Sequence, residues 1–124
     1  KCILTFHFYH PLLLTHYKAP WVEATKDYNG EISYPGRPIS DNEWIKLNEE
    51  QRKRLAYFNQ LYDSNKMRAD LINPLEMRKK TGLPLYCGEF GCFKTVPQEI
   101  RLAWYKDLVS IFKENNISCS ISEG

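Results

Sequence analysis

Two short segments of this 124-residue chain carry side chains that could do chemistry together. One is His7-Phe8-Tyr9 and the other is Gly88-Glu89-Phe90-Gly91, and each closes a short apolar run of strand character. Side chains alternate along a strand, so His7 and Tyr9 point one way, and Leu85, Cys87 and Glu89 share a face of theirs. If both sets face the same side, an imidazole, a phenol and a carboxylate converge at the strand ends. A carboxylate held among hydrogen-bond donors stays ionised, as nucleophilic attack requires. Gly88 and Gly91 remove bulk beside Glu89 and permit a sharp turn or the close approach of a ligand. Neither segment is specific alone, because a Glu between glycines is more often a turn residue. Their joint position at two strand ends is the informative part.

Other chemistries find less support. His7, His10 and His16 lie across a strand end and a loop, with no carboxylate or cysteine completing a metal set, so no metal is expected. There is no Gly-rich phosphate loop and no serine nucleophile elbow, and no cofactor is called for. Seventeen basic and fifteen acidic residues leave a net charge of +2, which makes no electrostatic case for nucleic acid. No apolar run approaches the roughly 18 residues of a membrane span. Cys2, Cys87, Cys92 and Cys119 show neither CxxC pairing nor zinc spacing and read as unpaired structural thiols. Asn116-Ile117-Ser118 matches a glycosylation sequon but enters a strand, so its use is not expected.

The elements that must hold these residues alternate in type. Residues 3–8 form a β-rich run that stops at His10-Pro11, followed by an aromatic-rich loop from Pro11 to about Leu47. Asn48 is a plausible helix N-cap with Gln51 three residues on, and Leu55, Phe58, Leu61 and Tyr62 form one apolar face beyond it. A second helical stretch runs from about Lys66 to Lys80, restarting or kinking at Asn73-Pro74 and ending at Thr81-Gly82. Residues 83–87 read as the next strand. Pro97 opens a third helix with Ile100, Trp104, Leu108 and Ile111 or Phe112 as its buried stripe, and residues 117–122 read as a last strand. Strands alternating with helices imply parallel pairing. The predicted fold is α/β, a partial (β/α)8 TIM barrel of about three parallel strands, because a complete barrel takes roughly 250 residues.

On these residues the chain resembles glycoside hydrolase family 5, the cellulase and mannanase group. Residues 3–9 are similar to that family's sixth strand with its His-x-Tyr pair, and residues 83–91 to its seventh, whose Gly-Glu-Phe-Gly holds the nucleophile. Tyr34-Pro35-Gly36, Arg78-Lys79-Lys80-x-Gly82-Leu83-Pro84 and Trp104-Tyr105 extend the similarity over nearly the whole chain. The resemblance implies that residues 1–124 are a C-terminal fragment of one catalytic barrel, strands six to eight, whose partner is the missing N-terminal part. The abrupt ends, inside predicted strands, suit that reading. It further implies a retaining β-glycosidase in which Glu89 attacks the anomeric carbon, Tyr9 donates to its carboxylate and His7 helps position it. Trp21, Tyr17 and Tyr34 become candidate stacking platforms for an oligo- or polysaccharide, with hydrophobic packing as the competing role, and His10 a candidate cleft residue. A secreted or periplasmic location is expected.

Two departures from the family pattern stand out. The acid/base Glu follows an Asn at the end of the fourth strand, a region not present here. Asn42-Glu43 and Asn48-Glu49 lie at predicted helix starts and do not replace it. The isolated chain is therefore expected to be inactive. Relatives usually end the eighth strand with a sugar-stacking Trp, near where Ser122 falls here. A non-catalytic carbohydrate-binding remnant, or another (β/α)8 enzyme with a Glu on strand seven, are the alternative readings.

Overall fold

The computed structural model describes residues 2–120. Strand β1 (Leu4–Phe8) is followed by five short helices: α1 (Leu12–Thr15), α2 (Asp41–Trp44), α3 (Glu49–Leu55), α4 (Ser64–Asp70) and α5 (Ile72–Thr81). Then come β2 (Leu85–Phe90), the long helix α6 (Gln98–Glu114) and β3 (Ser118–Cys119). The strands lie in the order β1-β2-β3, and both pairings are parallel. This is the expected arc of a (β/α)8 barrel, three parallel strands with helices against them.

One face of the sheet is covered by helices. Phe6 and Phe90 set their rings edge-on to Phe112 of α6, at 6.1 and 5.6 Å, and Phe8 lies 6.3 Å from Trp104. Trp104, Leu108, Ile111 and Phe112 are buried as the stripe predicted for this helix. Trp104 is fully buried, and its indole N–H donates to the carbonyl of His10 (2.9 Å), so its one polar atom is satisfied. That bond ties α6 to the residue just beyond β1. The opposite face, carrying Thr5, His7 and Glu89, is exposed.

The strand phase differs from the simple alternation expected. Leu4 to Phe6 pair with Leu85 to Cys87, but His7 then pairs with Glu89 and Phe8 with Phe90. Gly88 is an extra residue without a partner, a β-bulge that reverses the facing of everything after it. Leu85 and Cys87 are buried on the helix side, whereas Glu89 opens on the exposed face with His7. The expectation that all three share a face is corrected accordingly.

Local chemistry decides most boundaries. Asn48 and Gln51 form the reciprocal capping box that starts α3. Gly82, at φ +72°, closes α5 in the left-handed conformation. Two expectations fail. Helix α3 stops at Leu55, so Leu61 is exposed rather than on its apolar face, and Tyr62 is buried through a bridge to Gly36. The stretch predicted from 66 to 80 is two helices, broken at Leu71 (φ −90°, ψ 3°) and not at Pro74. Pro74 sits in the first turn of α5, where its missing N–H costs nothing. The expected long loop holds α1, α2 and successive turns. Ser122 lies outside the described residues.

Candidate active site

Glu89 occupies the end of β2, immediately after the bulge, and its backbone is held there from below. The Cys87 thiol donates to the Glu89 carbonyl at 3.4 Å, and burial pushes that thiol up to about 11, so it remains a protonated donor. Gly91 follows at φ +153°, and a Cβ there would stand 2.8 Å from the Tyr105 hydroxyl. Only glycine fits both the backbone angle and the space.

Three predicted site residues meet at this point. The Tyr9 hydroxyl donates a short hydrogen bond to Glu89 Oε2. His7, paired with Glu89 across the sheet, places Nδ1 at 4.0 Å from the same oxygen. Burial, then the hydrogen bond to Glu89, push the Tyr9 phenol well above its ordinary value, so it acts as a donor throughout the working pH range. The Glu89 side chain is 58% exposed, which leaves its other oxygen open to a ligand.

Tyr9 is itself fixed from the loop that follows. Thr15, fully buried at the end of α1, donates through Oγ1 to the Tyr9 carbonyl (2.6 Å). The Thr15 carbonyl accepts from the Phe93 N–H (2.6 Å), and the Thr95 hydroxyl donates to the Tyr17 carbonyl. The segments after β1 and after β2 are thereby clasped together. Between them lies a cleft of about 380 Å³ whose lining includes Tyr9, His16, Trp21, Phe93 and Tyr105. Trp21 is 61% exposed and meets Phe93 edge-on at 4.9 Å. His16 lies 5.1 Å from the Tyr9 ring, and burial lowers its pKa.

The remaining candidates sit elsewhere. Tyr17 donates to the Gly30 carbonyl (2.6 Å) and packs on Tyr28 within its own loop. Tyr34 donates to Asp107 Oδ2 (2.7 Å), which anchors the loop to α6 on the covered side of the sheet. Neither lines the cleft. His10 lines a neighbouring hollow of about 550 Å³ with Tyr57 and Phe58. Sequence reasoning passed over Phe93, Arg101 and Tyr105, which also line the cleft. Phe93 follows Gly-Glu-Phe-Gly almost directly, but Arg101 and Tyr105 reach the cleft from α6 and leave no local signal. Among the described residues, no three His, Cys, Asp or Glu side chains are grouped to hold a metal.

Comparison with known proteins points one way. Endoglucanase C of Acetivibrio thermocellus is 34% identical over 119 residues, spanning 96% of this chain and 35% of that protein. Cellodextrinase A of Ruminococcus flavefaciens is 29% identical over 124 residues, spanning 98% of this chain and 30% of that protein. The resemblance to family 5 glycoside hydrolases stands. Among solved structures, Cel5A of Thermotoga maritima in complex with mannotriose superposes with a TM-score of 0.58, covering 98% of this chain and 32% of that one at 24% identity. That likeness shows the barrel fold. No protein-family model matches the chain. The chain spans about a third of the length of the curated relatives it matches.

Proposed function

We propose that this chain is the C-terminal portion of a retaining β-glycoside hydrolase of cellulase type, and that Glu89 is its nucleophile. The observation that carries the reading is the Tyr9–Glu89 hydrogen bond, made at the C-terminal ends of adjacent parallel strands, with His7 beside it. Catalytic groups of α/β barrels sit at this end of the strands. Glu89 attacks the anomeric carbon of a β-linked sugar and forms a glycosyl ester, which water then hydrolyses with retention. Tyr9 fixes the carboxylate in one orientation, so the reacting oxygen is already aimed when substrate arrives. Trp21 offers an exposed indole face for a pyranose ring in the cleft that Tyr9 lines. A polymeric substrate cannot enter a cell, so on such a substrate the enzyme acts outside the cytoplasm.

The mechanism needs a second carboxyl group about 5–5.5 Å from the first. The cleft that Tyr9 lines has no Asp or Glu in its lining. On this reading the acid/base group comes from the rest of the barrel, and the isolated chain does not hydrolyse glycosides. That same lining favours a second reading, a carbohydrate-binding remnant without catalysis. Substitution decides between them. In the intact protein, Glu89→Gln keeps saccharide binding and loses turnover by several orders of magnitude, and a fluoro-sugar inactivator labels Glu89 alone. Near-normal turnover in Glu89→Gln, or a label on another carboxylate, overturns the assignment.

A further inference from the structure

The cleft next to Tyr9 has a charge that a neutral glucan does not call for. Its lining includes two cations, Lys94 and Arg101, and no carboxylate. Neither cation belongs to any salt bridge among the described residues. Lys94 has its ammonium 5.9 Å from the Phe93 ring centre. Arg101 is held rather than free: its Nη2 donates to the carbonyls of Lys94 (3.2 Å) and Val96 (3.1 Å). Its Nε, however, is buried and finds no acceptor. An N–H sealed from solvent is equally sealed from a ligand, so what the cleft offers an anion is the unbalanced charge of Arg101 and of Lys94. Trp21 and Phe93 give the same cleft an aromatic wall.

We propose that this cleft is a subsite for a uronic acid unit of the saccharide, whose carboxylate pairs with Arg101 and Lys94 while its ring lies against Trp21. The inference rests on the glycosidase reading and names the substrate class more narrowly. A bare phosphate or sulfate would use the cations but leave the aromatic wall idle. A neutral sugar would use the wall but leave both cations without a counter-charge. A sugar carrying a carboxylate uses both: with Nη2 already held by two carbonyls, Arg101 offers it one charge-assisted bond, and the Lys94 ammonium adds its charge. Arg101 is then a specificity-determining residue at a position adjoining the Tyr9–Glu89 pair.

The test uses the intact enzyme and two substrates, a cello-oligosaccharide and the same chain bearing one glucuronic acid. The ratio of their kcat/KM values is read in the unaltered protein, Arg101→Gln, Arg101→Lys and Lys94→Gln. The ratio favours the acidic substrate in the unaltered protein and falls about tenfold in Arg101→Gln, as expected for losing a charge-assisted pair. Lys94→Gln, which leaves the Arg101 anchor intact, lowers it in the same direction, and Arg101→Lys restores part of the loss. If Arg101 only braces residues 94–96, both substrates suffer together and the ratio stays constant, which overturns the proposal. Binding is read separately, by quenching of tryptophan fluorescence with sodium glucuronate and with inorganic phosphate. Glucuronate saturates and phosphate does not; equal saturation by phosphate marks a general anion site and sinks the sugar assignment. Hydrolysis without glucuronate binding refutes the subsite alone, whereas glucuronate binding without hydrolysis refutes the glycosidase reading alone.

Discussion

Replacing Tyr9 by Phe removes one atom and, among the described residues, the one hydrogen bond to the Glu89 side chain. A hydrogen bond to a charged partner is worth about 1.5–3 kcal/mol. At about 1.4 kcal/mol per factor of ten, its full loss from the transition state slows glycosylation by roughly 10- to 150-fold. The Glu89 side chain is 58% exposed, so water replaces part of the lost bond, and the lower end, about tenfold, is expected. His7 offers a contrast in the same site. Its Nδ1 stands 4.0 Å from Glu89 Oε2, beyond hydrogen-bond range, so His7→Gln slows the reaction by only about two- to threefold. Burst kinetics on an aryl cellobioside in the intact enzyme separate formation of the covalent intermediate from its hydrolysis. The fluoro-sugar label stays on Glu89 in both variants. The reasoning is refuted if Tyr9→Phe keeps the original burst rate, or if His7→Gln costs more than Tyr9→Phe.

Other perturbations probe the surrounding structure. Gly91→Ala forces a side chain onto a φ of +153° and toward the Tyr105 hydroxyl, so it lowers stability by about 1–3 kcal/mol in denaturant titration, with Gly88→Ala the milder control. Trp21→Ala weakens oligosaccharide affinity in calorimetry while barely moving Tm, because the indole is 61% exposed; the reverse pattern assigns Trp21 to packing. His16 has its pKa lowered by burial, so the unfolded chain takes up a proton more readily than the folded one. Its contribution to stability is complete above an unfolded value of about 6.5 and fades as pH falls through the lower folded value, so His16→Gln makes Tm less sensitive between pH 7 and 5.

How much of this could be read from the sequence depends on how far each determinant reaches. The α3 capping box needs only Asn48 and Gln51, and the α5 terminus needs only Gly82, so both were legible. The buried stripe of α6 follows from its own spacing. Glu89, Tyr9 and His7 were found because each sits at the end of a recognisable strand. The place of Tyr34 depends on Asp107, 73 residues away, which no local pattern encodes. The break at Leu71 was misplaced because Pro74 is a stronger local signal than the turn that in fact divides α4 from α5. The Arg101 contribution to the cleft depends on how α6 docks, and docking is settled by the whole core.

The bulge at Gly88 changes what kind of genetic damage this strand can absorb. An added methyl group at Gly88 would meet nothing closer than the Tyr86 ring at 3.6 Å, so many codon changes there leave the backbone as it is. Loss of the codon would keep the phase as well: Glu89 would follow Cys87 directly, still pair with His7 and face the open side, and Phe90 would stay in the core. What the strand cannot absorb is an ironed-out bulge, in which Gly88 takes the place opposite His7, Glu89 turns toward the helices and Phe90 leaves the core. The position tolerates both misspelling and omission, provided that its residue is never counted into the ladder.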